Sequence, residues 1–189
     1  MTIHQEPLLL DACVAINLYA TDQLTEMAQS LNITFLLVEQ AAAEVGHLRE
    51  TVAGDLVVTP VDLSKHIEQG AVQLLHLRSA EYPLYVALAS LLGDGEAATI
   101  AISSKRRISM ATDDRKARRV CASRSLPEPR RTLALIRSYA EAESLGHGDV
   151  RDMLLRVRGR ASFTPPRSDP DLSWWARFVN DTVPPAGGR

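Results

Sequence analysis

Apolar residues fall along this chain in two rhythms. Leu8-Leu9-Leu10 is a short unbroken run ending at Asp11, which predicts a buried strand. Val14, Ile16, Leu18 and Tyr19 predict a first helix, and Asp22 reads as the N-cap of a second that runs to Leu31. Thr34 to Val38 predicts a second strand, and the Ala- and Glu-rich stretch from Glu39 to Glu50 a helix. Leu56 to Val61 predicts a third strand, which Pro60 confines to an edge or an end. Ala71 to Leu77 fits strand or helix equally. Tyr82 to Leu92 reads as helix after the Pro83 start signal, Gly93-Asp94-Gly95 as a loop, and Glu96 to Ser104 as helix. Ile108 to Ala111 is a short strand that runs into Thr112-Asp113-Asp114. Helices are predicted over Arg115–Ala122, Arg130–Glu143 and Asp149–Val157.

Strands alternating with helices argue for an α/β domain with a mainly parallel sheet. We place this domain over residues 1–160. Residues 161–189 read as a Pro-rich tail, with Pro165-Pro166, Pro170 and Pro184-Pro185. The Trp174-Trp175 pair within it is expected to dock on the domain rather than to stack a base or form an interface. Open sheets of this kind bind ligands beyond the carboxyl ends of their strands. Asp11 ends the first strand, and Asp113 and Asp114 follow the last, so these acids fall where functional groups are expected.

Composition narrows the class. The chain has 189 residues, 46% hydrophobic and 23% charged, enough for a core without disulfides. No apolar run approaches the roughly 20 residues of a membrane-spanning helix, and no cationic flank precedes the first apolar run as in a secretory signal. Cys13 and Cys121 are isolated, which suits a reducing cytoplasm. The net charge of −2 hides an asymmetry: residues 1–104 carry three cations against thirteen acids, and residues 105–189 eighteen against ten. Lys105 to Arg131 is densest, with ten cations and three acids. An acidic centre beside a basic surface suits an enzyme that holds metal and grips a polyanion, although basic helix faces are often only solvated.

Other chemistries lack their residues. No Gly-x-x-x-x-Gly-Lys-Ser/Thr run cradles a phosphate. The five histidines show no close ligand pairing, and no Gly-x-Ser-x-Gly elbow presents a nucleophile. An aspartyl-phosphate mechanism at Asp11 wants a second acid two residues on, where Cys13 stands.

The carboxylates remain. Mg²⁺ and Mn²⁺ prefer oxygen ligands, and a metal nuclease needs several acids converging on one point. Asp11 at the end of a buried strand is costly unless paired or metal-bound, although it could also cap the following helix. Glu44 lies on an apolar-faced helix with Glu39 as a rival, and a solvated surface is the commoner fate of either. Glu96 opens a helix near its positive end, with Asp94 as a plausible N-cap. Of Asp113 and Asp114, one can cap the helix at Arg115 and leave the other facing the site.

Taken in order, strand-Asp11, helix-Glu44, Leu92-Gly-Asp-Gly-Glu-Ala-Ala and Thr112-Asp-Asp-Arg-Lys-Ala-Arg resemble the PIN-domain nucleases over roughly residues 8 to 125. That family includes the toxins of many prokaryotic toxin–antitoxin pairs. The resemblance implies a three-layer α/β/α sandwich around a mainly parallel sheet and metal-dependent hydrolysis of RNA phosphodiester bonds. It implies Mg²⁺ or Mn²⁺ held by Asp11, Glu44, Glu96 and Asp113 or Asp114, and, by analogy only, an antitoxin partner and a homodimer. Arg115, Lys116, Arg118 and Arg119 are the expected RNA contacts, and Arg151, Arg156, Arg158 and Arg160 could extend that surface. The family often has Ser or Thr soon after the first Asp; here Ala12 and Cys13 follow, with Asn17 the nearest polar substitute. The rival expectation is a non-catalytic RNA- or protein-binding module on the same fold.

Overall fold

The computed structural model describes residues 5–180. Pro184-Pro185 of the expected tail therefore lie outside the described residues. Four strands, β1 (Glu6–Leu10), β2 (Ile33–Val38), β5 (Val72–Leu75) and β6 (Ser109–Ala111), form a parallel sheet in the order β5-β2-β1-β6. The registers Leu10↔Leu37 and Leu10↔Ala111 bring the ends of three strands level. Residues after Leu10 and Ala111 thus emerge side by side. A further segment extends the outer edge: Arg130 donates to the Met110 carbonyl at 2.9 Å, and its own carbonyl accepts from Thr112 at 3.0 Å.

The sheet is apolar on both faces, because a strand alternates its side chains and helices cover each side. Leu8 and Leu10 of β1, with Ile33, Phe35 and Leu37 of β2, face one core. That core is completed by α1 (Ala12–Tyr19), α2 (Leu24–Ser30), α8 (Thr132–Ala142), α9 (His147–Arg160) and α10 (Leu172–Val179). Leu9, Leu36 and Val38 face the opposite core with α5 (Tyr82–Ala89), α6 (Asp94–Arg106) and α7 (Arg115–Ser123). This is the α/β/α sandwich expected. Trp174 and Trp175 of α10 are buried in the first core, where the Trp175 ring meets Phe163 edge-on at 5.8 Å.

Several local expectations are corrected. The helix expected over Glu39–Glu50 stops early, as α3 (Glu39–Glu44). Val45 adopts extended backbone there, and β3 (His47–Val52) follows. β3 pairs antiparallel with β4 (Asp55–Pro60), so the strand expected over Leu56–Val61 belongs to a separate hairpin and not to the main sheet. Ala53 and Gly54, both with positive φ, make the two-residue connection whose twist suits a hairpin. Ala71–Leu77 resolves as strand, since Val72 is buried against β2 in the central sheet. Asp22 does not cap α2. It has a φ of 63° and receives both Oδ atoms' bonds from Arg160 at 2.7 Å, leaving Gln23 at the cap. Asp94 is the first residue of α6 rather than part of a loop or its cap, which is Gly93.

Candidate active site

Asp11 leaves β1 as the ladder ends, its N–H still bonded to the Ala111 carbonyl at 3.1 Å. It is the N-cap of α1, so the capping reading of its sequence position holds. One carboxylate oxygen accepts from the Ala12 N–H at 2.8 Å and the other from the Thr112 hydroxyl at 3.0 Å. With 2% of its surface exposed, the group is almost dry. Burial pushes its pKa up to about 6 against those two hydrogen bonds, with the charges of Glu44 and Asp114 adding to the rise.

Glu96 stands in the first turn of α6. Burial pushes it up to about 7, the charges of Asp11, Asp114 and Glu44 push the same way, and a bond from the Gly93 N–H opposes them. Glu44, the last residue of α3, points one oxygen at the start of α6 and accepts from the Gly95 N–H at 2.8 Å. Gly93, as the cap, has no side chain to satisfy that helix end, so a carboxylate from a distant helix does so.

The adjacent acids divide their duties. Asp114 is the N-cap of α7, and its Oδ1 accepts from the Lys116 and Ala117 N–H groups at 2.6 and 2.7 Å. Asp113 turns the other way, accepting from the Thr132 N–H at 3.1 Å and the Thr132 hydroxyl at 2.6 Å. Asn17 supports it, with its amide 3.1 Å from the Thr132 hydroxyl and 3.5 Å from Asp113. Burial raises the Asp113 pKa against the Thr132 bonds; Asp169 raises it further and Arg131 lowers it.

Asp11 and Glu96 therefore lie within electrostatic reach of each other and of both Glu44 and Asp114, at the carboxyl ends of β1 and β6. Asp113 flanks them. Cys13 borders the group: the residue keeps surface open to solvent, but its thiol is pushed up to about 11 by burial, then by Asp11, Glu96, Asp113 and Glu44. It stays protonated near neutral pH, which removes it as a nucleophile.

Among the described residues, no ion pair includes any of the four converging acids. Nor is any group of three or more acid, imidazole or thiol side chains among those residues placed to hold a metal ion as it stands. Asp11 and Glu44 are engaged in protein hydrogen bonds instead. The donor set nonetheless fits a hard divalent cation: it is all carboxylate, its charges push the pKa of Asp11 and of Glu96 up, and it has no cationic partner among the described residues. Mg²⁺ keeps several waters and takes only one or two carboxylates directly, so a loose ring suits it better than it suits a fully caged ion.

The basic helix begins beside these acids. Arg115, Lys116 and Arg119 are exposed on α7. The Lys116 ammonium bonds the Leu91 carbonyl. Arg118 is committed to the protein, donating to the Pro129 carbonyl at 2.7 Å and to Glu128 at 2.6 Å. Arg151, Arg156 and Arg160 lie on α9, where Arg156 and Arg160 pair with Asp22. Thr112 and Thr132, which position the acids, carried no role in the sequence reading. The only signal for Thr112 was its place directly before the acid pair, and Thr132 had none, since it acts from 19 residues away.

A family model described as a PIN domain matches residues 8–166. No curated protein and no solved structure matches the chain. No helix among the described residues is long and apolar enough to cross a membrane.

Proposed function

Because the chain belongs to the PIN-domain family, whose members are typically nucleases that use divalent metal ions, we propose that it is a Mg²⁺- or Mn²⁺-dependent endoribonuclease. The observation that supports this most is the convergence of Asp11, Glu44, Glu96 and Asp114 without a cationic partner among the described residues. In this reading the ring of Asp11, Glu44 and Glu96 would hold the ion, directly or through its waters, and Asp114 would face it through one of those waters. When bound, such an ion offsets charge on the scissile phosphate and makes water more acidic.

The protein's own groups set the rest. Asp114 spends Oδ1 on the α7 cap, which leaves Oδ2 to orient the attacking water and take its proton. Thr112 fixes the Asp11 carboxylate, and Thr132 with Asn17 fixes Asp113, which keeps the flanking acid from swinging into the ring. Arg115 and Arg119 meet the substrate backbone, so affinity for RNA falls as salt rises.

We further propose the toxin half of a toxin–antitoxin pair, acting in a reducing cytoplasm where Cys13 and Cys121 stay free. The commitment of Asp11 and Glu44 to protein hydrogen bonds favours a second reading, a non-catalytic binding module on this fold. Incubating purified protein with labelled RNA in Mg²⁺, Mn²⁺ or EDTA, beside Asp11→Asn, separates them. Cutting that needs the ion and is lost in the variant supports the nuclease. Equal cutting by wild type and variant would sink the site assignment, and no cutting by folded protein under either ion favours the binding module. Growth arrest on expression of wild type but not of Asp11→Asn tests the toxin role.

A further inference from the structure

Beside the acids, sharing Asp113 as one wall, lies a cavity of about 760 Å³ between α7 and the segment around residues 166–168. Arg115 and Arg119 line it from α7 and Arg167 from the 166–168 segment, while Glu128, which also lines it, is paired with Arg118. Arg115, Arg119 and Arg167 are exposed, and none has an ion-pair partner among the described residues. Leu126, Pro129 and Pro166 give the same cavity apolar walls. Three unpaired guanidiniums around one cavity repel one another unless an anion joins them.

The wall that carries Arg167 is fixed in place. Asp169 is buried and accepts from the Arg131 guanidinium at 3.3 Å and from the Asp171 N–H at 2.9 Å. Its own N–H closes a turn onto the Pro166 carbonyl at 2.9 Å. Arg131 in turn stands immediately before α8, next to the Thr132 that holds Asp113. The position of Arg167 is thus tied to the acid site through Asp169, Arg131 and Thr132. The family match ends at residue 166, so this guanidinium lies just past it.

We propose that this cavity binds one unpaired nucleotide of an RNA strand. Arg115, Arg119 and Arg167 hold its phosphate, and the proline and guanidinium faces flank its base. The volume is that of a small-molecule site and leaves no room for a duplex. Guanidinium forks match phosphate geometry, and their planes stack on splayed bases. The strand would then run from this pocket past Asp113 to the carboxylate ring, which makes Arg167 a determinant of single-strand preference. The proposal rests on the RNA-directed reading above and names the part of the strand that the site selects.

The test measures binding in EDTA, where no cleavage occurs, by fluorescence anisotropy of a labelled single-stranded oligoribonucleotide and of its duplex. Adenosine 5′-monophosphate serves as the competitor, with a poly-glutamate peptide beside it. Arg167→Glu should weaken single-strand binding at least about tenfold, and Arg167→Ala should lower the salt slope by about one. Lys65→Glu makes the same charge change on an exposed helix away from the cavity and should leave affinity within about twofold. Adenosine 5′-monophosphate should compete with wild type and lose that ability in Arg167→Glu. Equal weakening by Arg167→Glu and Lys65→Glu, or an equal effect on duplex, overturns the pocket. So does wild type that binds no single strand, or an Arg167→Glu variant that loses only the acidic peptide, which would mark a protein-docking site. Because cleavage is read separately, wild type that cuts RNA while Arg167→Glu binds normally removes the pocket alone. A wild type that never cuts removes the nuclease reading and leaves this binding result standing.

Discussion

The Glu44 carboxylate caps the start of α6 by accepting from the Gly95 N–H, 51 residues later in the chain, at 2.8 Å. A Cβ on Gly95 would stand 2.8 Å from a Glu44 carboxylate oxygen and 2.9 Å from the Ala41 Cα. One of those neighbours is backbone, so α3 and α6 must separate to admit a methyl group. Elsewhere in a helix, Gly→Ala stabilises by roughly 0.5–1 kcal/mol. Here Gly95→Ala is expected to cost about 1–3 kcal/mol, read by urea denaturation, and to lower cleavage by displacing Glu44. An unchanged or raised midpoint would mean that the close approach is not what holds these helices.

Asp11 and Glu96 sit near 6 and 7, above the ordinary carboxylate values of 3.8 and 4.5. Between those limits the folded protein keeps protons that the unfolded chain has released. Stability therefore falls as pH rises through that interval, and the loss is complete only above about pH 7. Glu81, held low by Arg106, has the opposite slope, but its effect lies below its ordinary value of 4.5. Metal-free protein should thus melt higher at about pH 5 than at about pH 8, each kcal/mol being worth about 2–4 °C for a chain of this size. Asp11→Asn should flatten much of that slope and raise the melting temperature at the higher pH. Mg²⁺ should stabilise wild type more at the higher pH, where the carboxylates are ionised. Calorimetry across the range, with Mg²⁺ or EDTA, checks both signs.

Much of this fold is written in local runs. Leu8-Leu9-Leu10 and Phe35-Leu36-Leu37 announce buried strands because both faces of the sheet are covered. Glu39 to Glu50 misled because Ala and Glu favour helix strongly, whereas Leu48 is drawn into a hairpin by burial that only tertiary packing provides. The order of the acids was legible, but their partners were not. Asp113 meets Thr132 across 19 residues and Asp11 meets Thr112 across 101. Spacing along the chain cannot report such bonds. Nor could it separate Arg118, which spends its donors on Pro129 and Glu128, from Arg119, which does not.

Thr112 joins two of the acids through one oxygen: its hydroxyl donates to Asp11 and accepts from the Asp114 N–H at 3.1 Å. Thr112→Val keeps the shape and removes both bonds. A buried carboxylate that loses one of its two donors should cost about 1–3 kcal/mol. Losing a group that orients a metal ligand should lower ion affinity or cleavage by roughly 10–100-fold. Thr112→Ser, which keeps the hydroxyl, should recover most of the activity. Serine and valine variants with equal activity would show that the hydroxyl has no positioning role.

The last helix among the described residues, α10, tests whether residues 161–180 are an appendage or part of the domain. Trp175 is buried against Phe163 in the same core as Leu8 and Phe35. Arg137 and Arg131 tie Asp171 and Asp169 to α8, the first pair at 2.8 Å. Removing a buried indole leaves a cavity in that shared core, so Trp175→Ala should cost about 3–5 kcal/mol. Unfolding should remain one cooperative transition by fluorescence and by far-ultraviolet dichroism. The same change should lower RNA affinity, because Arg167 loses its anchored wall. A separate early transition with an undisturbed main one would instead make α10 an independent docking element, and the RNA-binding loss should then track that first transition.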